Sequence, residues 1–523
     1  MSQILSSLRA TLRDPHTREF LLWLLPALLV GLIVRIVLTA HLPFGYYHDD
    51  TPDFLTTPEK LLFEHRFELH VKKTFLVPCL ISVPFFLHLP ALIAIPVFQH
   101  LLGLGTVALV GLLCRLWFRM WKVFIIPLTV LTAINPFLLW YEHTIMAEAV
   151  FVFTTLLVAL ALTLYTLGQS RGRFIFLLAA LVLEAGARPE GKLLFGVGIL
   201  LVVLLHARAW RSAWPRLVIV LAVAALTNQF AHTSQAGLLL YTSVARLTPR
   251  KLACAPGFEP YIAPLRADLQ KRWEEKPSFP KVRDRRAVAA AVESYFKDTA
   301  AQGGRRHRSV NEFCKRLAAE TCLKNFGYLP IHIYHKFRET AWMPPSGWFD
   351  REWLFDRQRD ALEIAFARTN GTARTLGLAY GLTGAKITTE PGMYRFFETH
   401  YVEVPWFNAL ERGWLTAVNY FHLPDLRVPN PEYPLVPLFH KGIPYYFLAA
   451  AIGLIAVAFR RDRLQVFHIV WGLTLLGFFY TIILTANVKP RFRVVFEPFW
   501  FIYLALLIEC AWLAITAPLR RRS

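Results

Sequence analysis

Long apolar stretches alternate along this chain with short clusters of basic residues. Ten of them stand out, at 20–40, 90–113, 123–140, 147–167, 174–187, 193–205, 217–231, 443–459, 464–486 and 494–516. A helix needs about 20 apolar residues to cross a bilayer, so the pattern predicts about ten transmembrane helices, some of them short. The first is preceded by Arg9, Arg13 and Arg18 and has no small-residue cleavage site, so it is expected to be an uncleaved anchor.

The basic clusters give the spans a direction. Arg115/Arg119/Lys122, Arg171/Arg173, Arg208/Arg211/Arg216 and Arg460/Arg461/Arg463 lie at alternate ends of the ten stretches, on the same side as the terminal arginines. Lys and Arg concentrate on the cytoplasmic side, so both termini are expected there. Three regions follow: an N-terminal transmembrane part, 1–234, with spans 1–7; an exported soluble region, 235–440; and a C-terminal transmembrane part, 441–523, with spans 8–10. Residues 58–89 mix charges with apolar runs and prolines and are expected as one or two interfacial helices. Reading 74–89 as a further span would invert every later loop. In the exported region, 287–299 and 309–326 read as amphipathic helices, the second with Ser309 as N-cap and Glu312 three residues on.

Composition agrees with the pattern. Hydrophobic residues make up 55% of the 523 and charged residues 18%, which excludes an ordinary soluble globule. The net charge of +21 is no nucleic-acid signature, because cytoplasmic Lys and Arg inflate it in a membrane protein. Residues 235–440 hold 29 basic and 21 acidic side chains, a net +8 that suits anionic head groups or acidic acceptors as well as ordinary surface charge. Of six cysteines, Cys254, Cys314 and Cys322 fall in the exported region. Cys314 and Cys322 on one helix would stand about 12 Å apart, too far for a disulfide, which leaves Cys254 as the partner of either if a bridge forms. No zinc spacing accompanies them.

Candidate chemistry gathers on the exported side. Asp49 and Asp50 are adjacent carboxylates a few residues beyond the first span, an expensive arrangement near lipid that marks a site more often than a structural need. Two short exported loops break the charge rule: Arg188-Pro189-Glu190-Gly191-Lys192 and Lys489-Pro490-Arg491-Phe492-Arg493. Cations fixed at that depth suit a phosphate at the bilayer surface. Structural ion pairs, Arg188 with Glu190 or Arg493 with Glu497, are the alternative.

These pieces resemble the GT-C glycosyltransferases, the family of protein O-mannosyltransferases and the bacterial aminoarabinose transferase acting on lipid A. Asp49-Asp50 is similar to the acidic pair after that family's first span. Asn135-Pro136 through Tyr141-Glu142-His143 to Ala147-Glu148 is similar to its Asn-Pro and Ser-Glu, with Ala147 departing from the usual Ser. Ala187-Arg188-Pro189-Glu190-Gly191 resembles the Arg-Pro-Glu-Gly turn of bacterial members, and Arg491-Phe492-Arg493 to Pro498 resembles Arg-Tyr-Arg with a following proline. The matches span the membrane parts; 235–440 gives none.

The resemblance implies a GT-C-like fold in a bacterial inner membrane with a periplasmic active site, and inverting transfer of a sugar from a polyprenyl-phosphate donor to a lipid, polysaccharide or protein. The residues suit that chemistry. The phosphate is already a good leaving group, so what remains is a base for the acceptor and cations for the departing phosphate. Asp49 is assigned as base, with Asp50 orienting it or raising its pKa by like-charge repulsion. Lys72, Lys73, Arg188, Lys192, Lys489, Arg491 and Arg493 are the phosphate-binding candidates. His48, His143, Glu148 and Glu190 are the candidates for sugar or acceptor. No cofactor is required; a divalent metal on Asp49, Asp50, Glu148 and a histidine stays open, although hard cations usually want more oxygens. Two rivals remain: an O-antigen ligase-like transferase, which usually relies on Arg and His in a large loop, and a transporter or flippase, expected to show charges within spans and symmetric repeats. Neither feature is expected of these spans.

Overall fold

A computed structural model describes residues 14–46, 51–69, 73–87, 89–206, 210–230, 238, 241–242, 252–275, 282–300, 306–328, 404–420, 445–460, 462–485 and 494–520. These are mostly helical, with one isolated parallel bridge, Tyr46 to Thr144, and no strand among them.

Wherever described, each of the ten apolar stretches is helical. The first is α1, Pro15–His41, which starts where Asp14 accepts from the Thr17 amide at 2.8 Å and proline occupies the first turn. Its buried positions, Phe20, Leu24, Ala27, Gly31, Arg35 and Leu38, recur every three or four residues and form one face. On other faces Leu22, Ile33 and Ile36 are exposed, as lipid-facing side chains of a membrane helix are. Two further helices follow, α2 (Thr51–Phe63) and α3 (Leu76–Phe86), which pack on each other. At 11 residues α3 is too short to cross a bilayer.

The central bundle is α4 (Ala91–Trp117), α5 (Trp121–Ala133), α6 (Pro136–His143), α7 (Glu148–Leu167) and α8 (Arg171–Ala187). α4 packs against α1, α5 and α7, and α7 also packs against α8. The stretch at 123–140, expected as one span, is two helices bent by 45°. Pro136 has no amide to continue the helix, and the Asn135 side chain instead accepts from Phe137 N at 2.9 Å and caps a new one. Asn-Pro is therefore a hinge within the membrane segment.

After a short 3-10 turn, Pro189–Lys192, come α9 (Leu193–Leu205) and α10 (Trp210–Phe230). Among the described residues, Pro15–His41, Ala91–Trp117, Glu148–Leu167 and Val494–Thr516 are long and apolar enough to cross a membrane, five spans if the bent pair counts as one. The chain is a helical membrane protein.

Residues 252–328 build a second apolar core from α11 (Glu259–Glu275), α12 (Val282–Ala300) and α13 (Arg306–Lys324) around Phe258, Ile262, Val292 and Leu317. Cys254, Cys314 and Cys322 are free thiols, and burial pushes Cys314 up to about 12. Further along lie α14 (Pro405–Tyr420), α15 (Tyr445–Ala458), α16 (Gln465–Thr485) and α17 (Glu497–Arg520); α15 packs closely on α17.

Candidate functional site

The acidic segment is bracketed by the turn between α6 and α7. Before it, Tyr46 N donates to His143 O and Ile145 N donates to Tyr46 O, each at 2.9 Å. After it, the Thr51 hydroxyl donates to Ile145 O at 3.0 Å. The chain thus enters and leaves 47–50 at one turn, three residues ahead of Glu148. Gly45 permits the approach: a Cβ there would stand 2.4 Å from Pro96 Cγ. Asp49, Asp50 and His48 themselves, with Lys72, Lys489, Arg491 and Arg493, lie outside the described residues.

Glu148 opens α7, where the helix dipole favours a carboxylate. It is 2% exposed. Arg188 Nη1 donates to its Oε1 at 3.0 Å, while Oε2 is buried without a hydrogen-bond partner. Arg188 also reaches Glu190 Oε2 at 3.4 Å and lies over the Phe151 ring at 5.3 Å. The Arg188–Glu190 ion pair, the structural alternative to phosphate binding, is thus present, and Arg188 is also shared with Glu148, 40 residues earlier. Lys192 ends the same turn, where burial holds its ammonium below the ordinary lysine value. Lys73 stands 3.8 Å from Asp53 and 4.1 Å from the Phe54 ring centroid.

Gly191 explains the last letter of Arg-Pro-Glu-Gly. A Cβ there would sit 2.3 Å from Glu184 O, a backbone atom that cannot rotate away. Gly191→Ala should therefore destabilise the protein by about 1–3 kcal/mol through overpacking and shift the Arg188 turn. Thermal unfolding in detergent measures it; a melting temperature equal to that of the unaltered protein would show that the turn absorbs the methyl group.

Beneath the bracketing turn lies a buried polar chain that sequence reading missed. Arg35 of α1 grips Glu142 through Nε–Oε2 at 2.7 Å and Nη2–Oε1 at 2.6 Å, and its Nη1 donates to Gly31 O at 2.9 Å. His100 Nδ1 is 3.0 Å from Glu142 Oε2, His100 Nε2 is 3.1 Å from His143 Nδ1, and His143 Nε2 is 2.9 Å from Phe44 O. His143, expected to face sugar or acceptor, has both ring nitrogens engaged inside the protein and is fully buried. Gly103 leaves room for Glu142, since a Cβ would stand 2.1 Å from its Oε1.

Other ionisable groups also lie within apolar helices. Glu184 of α8 meets the Thr154 and Thr155 hydroxyls, and Glu509 of α17 accepts from Met120 N at 2.7 Å and Arg460 at 3.2 Å. Their presence corrects the expectation that the spans carry no charges. The overlooked signal was simple: an Arg or His inside an apolar span is costly unless paired.

Among the described residues no group of three or more His, Cys, Asp or Glu is arranged to hold a metal ion. No family model, curated protein or solved structure matches this chain.

Proposed function

We propose that this chain is a ten-span, GT-C-type membrane glycosyltransferase that moves a sugar from a polyprenyl-phosphate donor to a lipid, polysaccharide or protein acceptor on the exported face of a bacterial inner membrane. The observation that carries the reading is Glu148: a buried carboxylate with one oxygen held by Arg188 and the other without a partner, beside the turn that brackets the acidic segment. A buried carboxylate oxygen left so is strongly unfavourable unless a donor meets it, and a sugar or acceptor hydroxyl is such a donor.

In the reaction, Asp49 takes the acceptor's hydroxyl proton as the acceptor oxygen attacks the anomeric carbon. The bond from that carbon to the phosphate oxygen breaks, the bonding pair leaves with the phosphate, and the configuration inverts. Arg188, shared between Glu148 and Glu190, and Lys192 are cations that would favour the phosphate as its charge grows, with Lys72, Lys73, Lys489, Arg491 and Arg493 as the other candidates. Glu148, Glu190 and His48 would bind sugar or acceptor, and His143 acts by holding Phe44 and His100. No cofactor enters these steps.

The test is mass spectrometry of envelope glycans and lipid-linked sugars in cells lacking the gene. One glycan should lose a sugar while the matching polyprenyl-phosphate sugar accumulates, and a Glu148→Gln copy should fail to restore it. Unchanged glycans and lipid-linked sugars would overturn the reading. A flippase or transporter is the second reading, favoured by the buried Arg35–Glu142 pair. It predicts movement of the lipid-linked sugar across vesicles without cleavage.

A further inference from the structure

Two neighbouring polar residues of α4, Gln99 and His100, are buried inside an apolar span and direct their bonds at one connection of the chain. His100 Nε2 meets His143 Nδ1 at 3.1 Å, and Gln99 Nε2 donates to Met146 O at 2.8 Å. His143 closes α6 and Met146 stands two residues ahead of Glu148, so the pair holds both sides of the turn between α6 and α7. That turn brackets the acidic segment through Tyr46 before it and Thr51 after it. Gly45 N donates to Leu92 O at 2.7 Å, so α4 also fixes the chain on its way into the segment.

Gln99 is the informative member of the pair. A side-chain amide inside a membrane helix is costly, and only half of this one is satisfied: Oε1 is buried with no hydrogen-bond partner. The single bond to Met146 gains no more than the orphaned oxygen loses, so folding alone has little use for glutamine at this position. A methionine of similar length would fill the same space and bring no unpaired acceptor. What glutamine supplies is a fixed point on the backbone just ahead of α7, the helix that opens with Glu148.

We propose that Gln99 is a positioning residue: by holding Met146 O it keeps Glu148, and with it the Arg188 contact, in register with the turn that brackets the acidic segment. The proposal rests on the transferase reading above.

The experiment compares the full-length protein with Gln99→Met and Gln99→Leu in detergent. The donor is the lipid-linked sugar that accumulates in cells lacking the gene, and the acceptor is the envelope fraction of those cells. Both variants should lose about 10- to 100-fold in kcat, the effect of displacing a site group by an ångström or less, with the donor KM close to that of the unaltered protein. Gln99→Met should melt at the same temperature or higher, since it trades a bond for the removal of a buried orphan. No transfer by the unaltered protein would overturn the transferase reading and this proposal with it. Transfer by the unaltered protein that Gln99→Met equals would overturn this proposal alone. A lower melting temperature in Gln99→Met would make the bond a structural one, and a loss of kcat in one variant but not the other would assign the effect to packing; each overturns it too.

Discussion

Arg35→Met should destabilise the folded protein by about 3–5 kcal/mol, because it leaves the Glu142 carboxylate buried without its charge partner. Glu142→Leu should do the same to the guanidinium. Both side chains are at most 4% exposed, so water cannot replace the lost partner. The double variant Arg35→Met/Glu142→Leu should lose less than either single change, since it removes both ions together. Denaturant titration in detergent measures all three. Single variants as stable as the unaltered protein would show that the pair is neutral in its bundle, and a double variant worse than both would place the energy in hydrogen bonds to Gly31 and His100 instead.

Asp49→Asn should lower the rate of sugar transfer by about 10²–10⁴-fold, the usual worth of a positioned general base, with melting and donor affinity unchanged. The amide keeps the shape of the carboxyl group but cannot take the acceptor's proton. Arg188→Ala should act differently, weakening retention of polyprenyl phosphate by about 10- to 150-fold through loss of a charge-assisted contact worth about 1.5–3 kcal/mol. Near-normal turnover in Asp49→Asn would remove Asp49 as the base. Unchanged retention of polyprenyl phosphate in Arg188→Ala would leave Arg188 only its pairing with Glu148 and Glu190.

Much of the fold was legible because lipid imposes a simple pattern. Every described apolar stretch is helical, since hydrocarbon leaves the backbone no other way to satisfy its polar groups in a single segment. The hinge at Asn135 was visible as a motif but not as a break, because hydropathy runs on through Pro136 undisturbed. The site was legible in its local part: Arg188 and Glu190 are two residues apart, and their contact follows from spacing. Its long-range part was not. Glu148 reaches Arg188 across 40 residues and Arg35 reaches Glu142 across 107, and no periodicity joins positions on different helices. Gln99 and His100 were hidden for a related reason: inside a stretch as apolar as 90–113, two polar residues barely change the average.

The Arg35–Glu142 pair also constrains how the protein is made. Arg35 lies in α1, which leaves the ribosome ahead of its counter-ion, 107 residues later. At about 5–20 residues per second, translation leaves the cation waiting roughly 5–20 s for neutralisation. An unpaired arginine costs up to about 2.5–3.5 kcal/mol on insertion at a helix centre and less towards an end, where Arg35 lies in Pro15–His41. The cost of seating α1 therefore falls only once Glu142 has emerged, which couples the final placement of α1 to synthesis of α6.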